Sequence, residues 1–179
     1  MAKVLIGFVL ALIIVPAIGA TFLLSGNFPF PATAQPPRWE RWIASRVLDA
    51  AVEKKAEGLS SPIQGSDDDL MTGMKVYRSH CAGCHGAPGK PRTSGRPSFY
   101  PPAPQLAGRG LDDPVPNVFV IVKHGIRYTS MPGWSGQLPD DDLWRVATFL
   151  TRVKTLPAAV DSAWKAPPPP PAPYRGAGT

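Results

Sequence analysis

Apolar and polar positions divide this chain into stretches with different periods. From Val4 to Leu24 no charged residue interrupts 21 positions rich in Leu, Ile, Val and Ala. As a helix rising about 1.5 Å per residue, the run would measure about 31 Å, close to the hydrocarbon thickness of a bilayer. Lys3 precedes it, the weak positive flank of a segment whose amino end stays in the cytoplasm. Ala17-Ile18-Gly19-Ala20 offers a peptidase small residues, as a cleaved secretory signal would. Yet the apolar stretch outruns a typical signal core and continues through Phe22-Leu23-Leu24. An uncleaved single-pass anchor is the expectation for residues 1–26. Pro16 near its middle is tolerated in membrane helices.

Residues 27–65 read as a spacer followed by a helix. Prolines punctuate Phe28–Pro37, and from Arg38 to Glu57 the pattern turns amphipathic. Trp39, Trp42, Ile43, Val47, Ala50 and Ala51 recur at helical spacing, with Glu40, Arg41, Arg46, Asp49, Glu53 and Lys54 filling much of the remainder. Tryptophan and arginine this close to an anchor suit the headgroup layer. The same face would equally serve to pack on the chain's own following domain or on a neighbouring subunit. Gly58 to Gly65 breaks the pattern.

Three helices are predicted within residues 66–156. Ser66 is an N-cap candidate ahead of Asp67-Asp68-Asp69, whose carboxylates complement the positive helix end. That helix should run to about His80, with Gly73, Tyr77 and Cys81 along one face. Asp113-Pro114 resembles an N-cap followed by proline at the first helical position, opening a short helix that Gly125 would close. Pro139-Asp140-Asp141-Asp142 opens the last, to about Val153, its apolar face carrying Leu143, Val146, Ala147, Phe149 and Leu150. No stretch alternates well enough for a strand, so the fold class is all-α. Residues 157–179 read as a proline-rich linker. Pro167–Pro171 should adopt polyproline II; disorder is the default for such a tail, with Trp164 and Tyr174 pointing to anchoring on a partner subunit as the alternative.

Chemistry enters with Cys81-Ala82-Gly83-Cys84-His85, the attachment signature of c-type haem. Both sulfurs must reach the two vinyl groups on one porphyrin edge, and the turn between them swings His85 under the iron as proximal ligand. A redox dithiol is not ordinarily followed by histidine, and a zinc site would need two further ligands. These are the chain's 2 cysteines, so thioether bonds would leave none for a disulfide. A net charge of +6 and a pI near 9.6 raise nucleic acid as a partner. The basic residues, however, are scattered among aspartates and form no run, which argues against it. Covalent haem is generally added outside the cytoplasmic membrane, which agrees with an exported chain.

Residues 73–153 resemble a class I cytochrome c domain. Gly73-x3-Tyr77-x3-Cys81-x2-Cys84-His85, then Pro104-Gln105-Leu106, then Met131-Pro132-Gly133-Trp134 and a terminal Asp/Leu/Trp/Phe helix follow that family's order. The resemblance implies that the first and last helices cross closely, with Gly73 and Tyr77 against Val146 and Phe149. It also implies that a proline carbonyl, with Pro104 the candidate, accepts the Nδ1–H of the proximal histidine. Arg127, Tyr128 and Trp134 would hydrogen-bond a propionate or brace the methionine loop.

Met131 is the expected sixth ligand. It is the only methionine after His85, and Pro132 biases it toward extended angles suited to a ligand loop. Met71 and Met74 fall on the preceding helix and are assigned to packing. His124 is the rival, with Lys123 or an open position remaining; His80 reads as a surface residue. Iron held on both sides by protein leaves one-electron transfer, not an enzyme's chemistry, on the periplasmic face of a bacterial inner membrane. A haem enzyme or gas sensor with a labile sixth ligand is the alternative, and a structural subunit a third. The expected partners are a redox protein or membrane electron-transfer complex, and lipid through the anchor. Lys90, Arg92, Arg96, Lys123 and Arg127 would give the haem edge a basic rim.

Overall fold

Helix α1, Ala2–Leu24, forms from an almost wholly apolar run whose one hydroxyl, Thr21, donates to Ala17 O within the helix, and Pro16 is accommodated inside it. In this computed structural model, which describes residues 1–27, 30–89 and 99–167, α1 buries none of its side chains. It is long and apolar enough to cross a membrane. The chain divides into two units, Met1–Ala34 and Gln35–Thr179, and α1 belongs to the first.

The second unit is helical, with no strand among the described residues beyond an isolated bridge between Ser135 and Leu138. Helix α2 spans Arg38–Ala56 and α3 spans Asp67–Val76. Ser66 caps α3 as anticipated. Its hydroxyl accepts from Asp69 N at 3.2 Å while Asp69 Oδ2 accepts from Ser66 N at 3.2 Å, a reciprocal capping box. The helix does not stop near His80. It runs through a π-helical turn, Tyr77–Cys81, into α4, Ala82–His85, and closes only at Gly86, the first residue that leaves helical angles. π-turns concentrate at functional sites, and this one immediately precedes the cysteine pair.

Helix α5 is Val115–His124, α6 is Asp140–Arg152, and a 3₁₀ turn, Val153–Thr155, leads to α7, Ala158–Lys165. The α5 start lies one residue later than expected. Pro114 rather than Asp113 is the N-cap, because its extended ψ of 142° makes Val115 the first helical residue. Gly125 ends α5, as read.

The core is built where α3 meets α6. A Cβ on Gly73 would lie 2.3 Å from Arg145 O and 2.9 Å from Phe149 Cβ, so only glycine permits this approach. Tyr77 fills the next turn, 6.0 Å from Phe149 between ring centroids. Arg145 bridges the two helix starts, reaching Asp69 at 3.3 Å and Asp142 at 3.0 Å. On the other side of α6, Trp144 stacks on Phe119 of α5 at 3.8 Å.

Two expectations need correction. The part of the presumed linker at Ala158–Lys165 is helix α7, and Val160 and Trp164 are buried in the domain. Trp164 anchors on its own chain rather than on a partner subunit. It lies 5.5 Å from Tyr77 and 5.1 Å from Phe149, with Nε1 donating to Ala107 O at 3.2 Å. Val160 and Trp164 are four residues apart, a helical stripe that the surrounding prolines obscure. Arg78 secures it by donating to the terminal carbonyls of Ala163, Trp164 and Ala166, placing a cation at the negative helix end. The polyproline reading of Pro168–Pro171 and the role of Tyr174 lie outside the described residues.

The second correction concerns α2. It docks on α5, but through Val52 and Ala56 with Leu48 beside them, not through the tryptophan stripe. Tyr100 holds its first turn by donating to Glu40 Oε1 at 2.7 Å.

Candidate haem site

The attachment motif sits on the last helical turn before Gly86, where three bonds tie this end of the helix to the segment that follows and back to the preceding π-turn. Leu106 N donates to His85 O at 2.9 Å, and Tyr77 Oη donates to Gly86 O at 2.8 Å and to His85 O at 3.1 Å. His85 Nδ1 lies 2.8 Å from Pro104 O. A carbonyl oxygen only accepts, so Nδ1 carries the proton and the lone pair resides on Nε2. Among the described residues nothing bonds Nε2, so one ring nitrogen is engaged and the other is left as a donor to a metal. This is the arrangement that orients metal-binding imidazoles and raises their basicity.

Cys81 is partly buried, which pushes its thiol up to about 12, with the Cys84 charge adding to the shift. Among the described residues no group of three or more His, Cys, Asp or Glu side chains is placed to hold a metal ion, so a structural zinc site finds no support there.

Met131 is presented by a loop that is pinned at both ends. Ile126 N donates to Met131 O at 3.1 Å, and Met131 N donates to Thr129 Oγ1 at 3.0 Å. Downstream, Trp134 N and Ser135 N donate to Val122 O and Lys123 O, so the loop itself satisfies the last carbonyls of α5. That close approach requires glycine at two places. A Cβ on Gly125 (φ +68°) would fall 2.5 Å from Gly133 N, and one on Gly133 would fall 2.8 Å from His124 O.

One contact joins the two halves of the site. The exposed His80 ring meets Trp134 edge-to-face at 5.1 Å, so the residue before the cysteine pair touches the residue three after Met131. Sequence reading left His80 on the surface. Its exposure is as expected, but no local pattern signals a partner that is remote along the chain.

The other named residues divide clearly. His124 is exposed at the α5 terminus. Lys123 is taken up by Asp140 at 2.6 Å and by the face of Phe119 at 5.3 Å, which removes it from a free basic rim. Arg127 and Tyr128 are exposed; Thr129, not Tyr128, braces the loop. Tyr128 stands in the left-handed region at φ +62°. Lys90, Arg92 and Arg96 lie outside the described residues.

Two thiols three positions apart, an imidazole with a free Nε2 and a thioether on a fastened loop suit a covalently attached haem. Fold and site together define a small helical haem protein of the c type. Residues 68–150 match the family model of cytochrome c oxidase, cbb3-type, subunit III. Cytochrome c55X of Paracoccus denitrificans is 31% identical over 80 residues, which are 45% of this chain and 70% of that protein. A chain of the Kuenenia stuttgartiensis reducing HAO-like protein complex aligns at a TM-score of 0.38 and 20% identity, over 54% of this chain and 47% of that one. The present chain thus spans just under half of that structural neighbour. It belongs to the c-type cytochromes, and its role is haem-based electron transfer.

Proposed function

We propose that the chain carries one haem c, joined to Cys81 and Cys84 and held axially by His85 and Met131, and exchanges single electrons on the periplasmic face of a membrane. When bound, the haem supplies a one-electron iron couple, whose potential methionine raises relative to a second histidine. The polypeptide supplies position. Pro104 O orients His85 and fixes the tautomer that leaves Nε2 free to bind. Thr129 and Ile126 hold the Met131 backbone, and Gly125 and Gly133 let the loop lie against α5. A methionine so fastened favours a closed sixth position over the labile one of an enzyme or sensor. Helix α1 supports a membrane anchor, with the haem domain as a tethered carrier or as a subunit of an electron-transfer complex.

The observation that carries this reading is the 2.8 Å contact from His85 Nδ1 to Pro104 O, which prepares one imidazole for iron. The test is Met131→Leu in the membrane-extracted holoprotein. Wild type should resist carbon monoxide in the ferrous state, whereas the variant should bind it at once and show a lower potential. Rapid carbon monoxide binding by the wild type would move the protein to the enzyme or sensor class. Mass spectrometry showing unmodified Cys81 and Cys84 in protein from its native membrane would end the haem reading altogether.

A further inference from the structure

Helix α2 uses one face against the haem domain and leaves another bare. Val52 and Ala56 are 7% and 8% exposed where they meet α5, whereas Trp39, Trp42 and Val47 are 66%, 62% and 65% exposed and Ile43 is 48%. Four large apolar side chains in water on one helix exceed the scattered exposure normal for a soluble surface. At about 100° per residue, the arc opposite the docked stripe carries Trp39, Ile43, Arg46, Val47, Ala50 and Lys54. Its cations are Arg46 and Lys54, and acids fall only at its margins, Glu53 beside Arg46 and Glu40 beyond Val47. Asp49 lies toward the docked side, the exposed Trp42 borders the bare arc next to Glu53, and Glu40 is occupied by the Tyr100 hydroxyl.

We infer that this face lies on an anionic phospholipid surface, so that α2 forms a second, in-plane attachment of the haem domain to the membrane. The inference builds on the reading of α1 as a membrane span. Tryptophan and branched aliphatics flanked by cations are the composition of a helix seated at the headgroup boundary. The cations complement anionic headgroups. The tether keeps α2 close to the membrane: the 13 residues between Leu24 and Arg38 reach at most about 45 Å when fully extended. A second copy is a poorer occupant, because an isologous contact would bring the Arg46 and Lys54 cations of one copy toward those of the other.

The consequence for electron transfer is orientation. Helix α2 grips α5, and the C-terminal carbonyls of α5 carry the methionine loop. Laying α2 on the membrane would therefore set the direction in which the Met131 side of the domain faces, and confine partner search to the membrane plane.

The experiment uses the full haem-loaded chain in nanodiscs, with lipids brominated just below the headgroups. Discs of phosphatidylcholine alone are compared with discs containing phosphatidylglycerol. Helix α1 contains no tryptophan, so it is silent. The paired variant Trp39→Phe/Trp42→Phe subtracts the signal of Trp134, Trp144 and Trp164. In anionic discs the emission due to Trp39 and Trp42 should fall at least twofold on bromination. Arg46→Glu/Lys54→Glu should abolish that fall with haem absorbance and helical circular dichroism unchanged. Absence of quenching in anionic discs overturns the inference. Shielding of these tryptophans from aqueous iodide without bromolipid quenching would assign the face to a protein and overturn it equally. Carbonate extraction of the chain from liposomes reads α1 separately: release sinks the spanning anchor, while quenching that persists upholds the α2 contact.

Discussion

Helices α6 and α2 are both amphipathic, and the domain treats them in opposite ways. Helix α6 lies between α3 and α5, and even the polar Thr148 on it is buried, its hydroxyl returned to Trp144 O at 2.9 Å. Among the helices of the domain α2 packs chiefly on α5, using its smaller apolar residues, with Tyr100 holding its first turn, while its largest apolar side chains stay in water. A helical apolar period therefore establishes that a face exists but not what covers it. Coverage depends on how many neighbours the fold places around the helix. Central α6 is enclosed by them, whereas α2 at the margin has one side held and one free for another phase.

The contrast can be broken most strongly at Phe149. It is fully buried and touches both Tyr77 and Trp164, so Phe149→Ala should cost about 4 kcal/mol in urea unfolding followed by circular dichroism. On α2, Val52→Ala removes the equivalent of two methylenes from the docked stripe and should cost about 1.5 kcal/mol.

A smaller effect separates the ends of the same crossing by pH. The Ser66 hydroxyl, above all, holds the Asp69 carboxyl below its ordinary value; burial opposes it, and the Arg145 guanidinium and Ser66 N add smaller lowering contributions. A carboxylate depressed in the folded state stabilises above its unfolded pKa, near 4, and that contribution disappears as pH falls through the folded value. Ser66→Ala should lower stability at neutral pH by about 1 kcal/mol and flatten the acid limb of the pH profile. Smallest of all, Trp39→Ser/Trp42→Ser should shift unfolding in detergent by no more than about 0.5 kcal/mol, because neither side chain has a buried place to lose. A loss comparable to that of Val52→Ala would show that the bare face is covered by the chain itself.

Much of the site was legible because its chemistry is local. Cys81, Cys84 and His85 are adjacent, Met131 is alone downstream of them, and Ser66 and Asp69 form a box within one turn. The Pro104 contact could be anticipated only from family order, since nothing in the run Pro101–Pro104 marks which carbonyl reaches a ring 19 residues away. The His80–Trp134 contact and the seating of Trp164 on Tyr77 and Phe149 join parts of the chain that carry no shared pattern. The proline-rich setting of α7 hid a helix of only eight residues, too short to stand without the core it enters.

The amino-acid order alone determined the Cys-x-x-Cys-His motif, the all-helical class, the apolar membrane-length segment and the starts of α2, α3 and α6. These depend on neighbours within a turn or two, where spacing translates directly into geometry. Only the folded chain decided which stripe of α2 docks, that Ala158–Lys165 joins the core, that Lys123 is paired and that the helix runs on through a π-turn to His85. Those outcomes depend on which distant surface comes to lie opposite, and burial there outweighs local preference because packing free energy is summed over the whole contact.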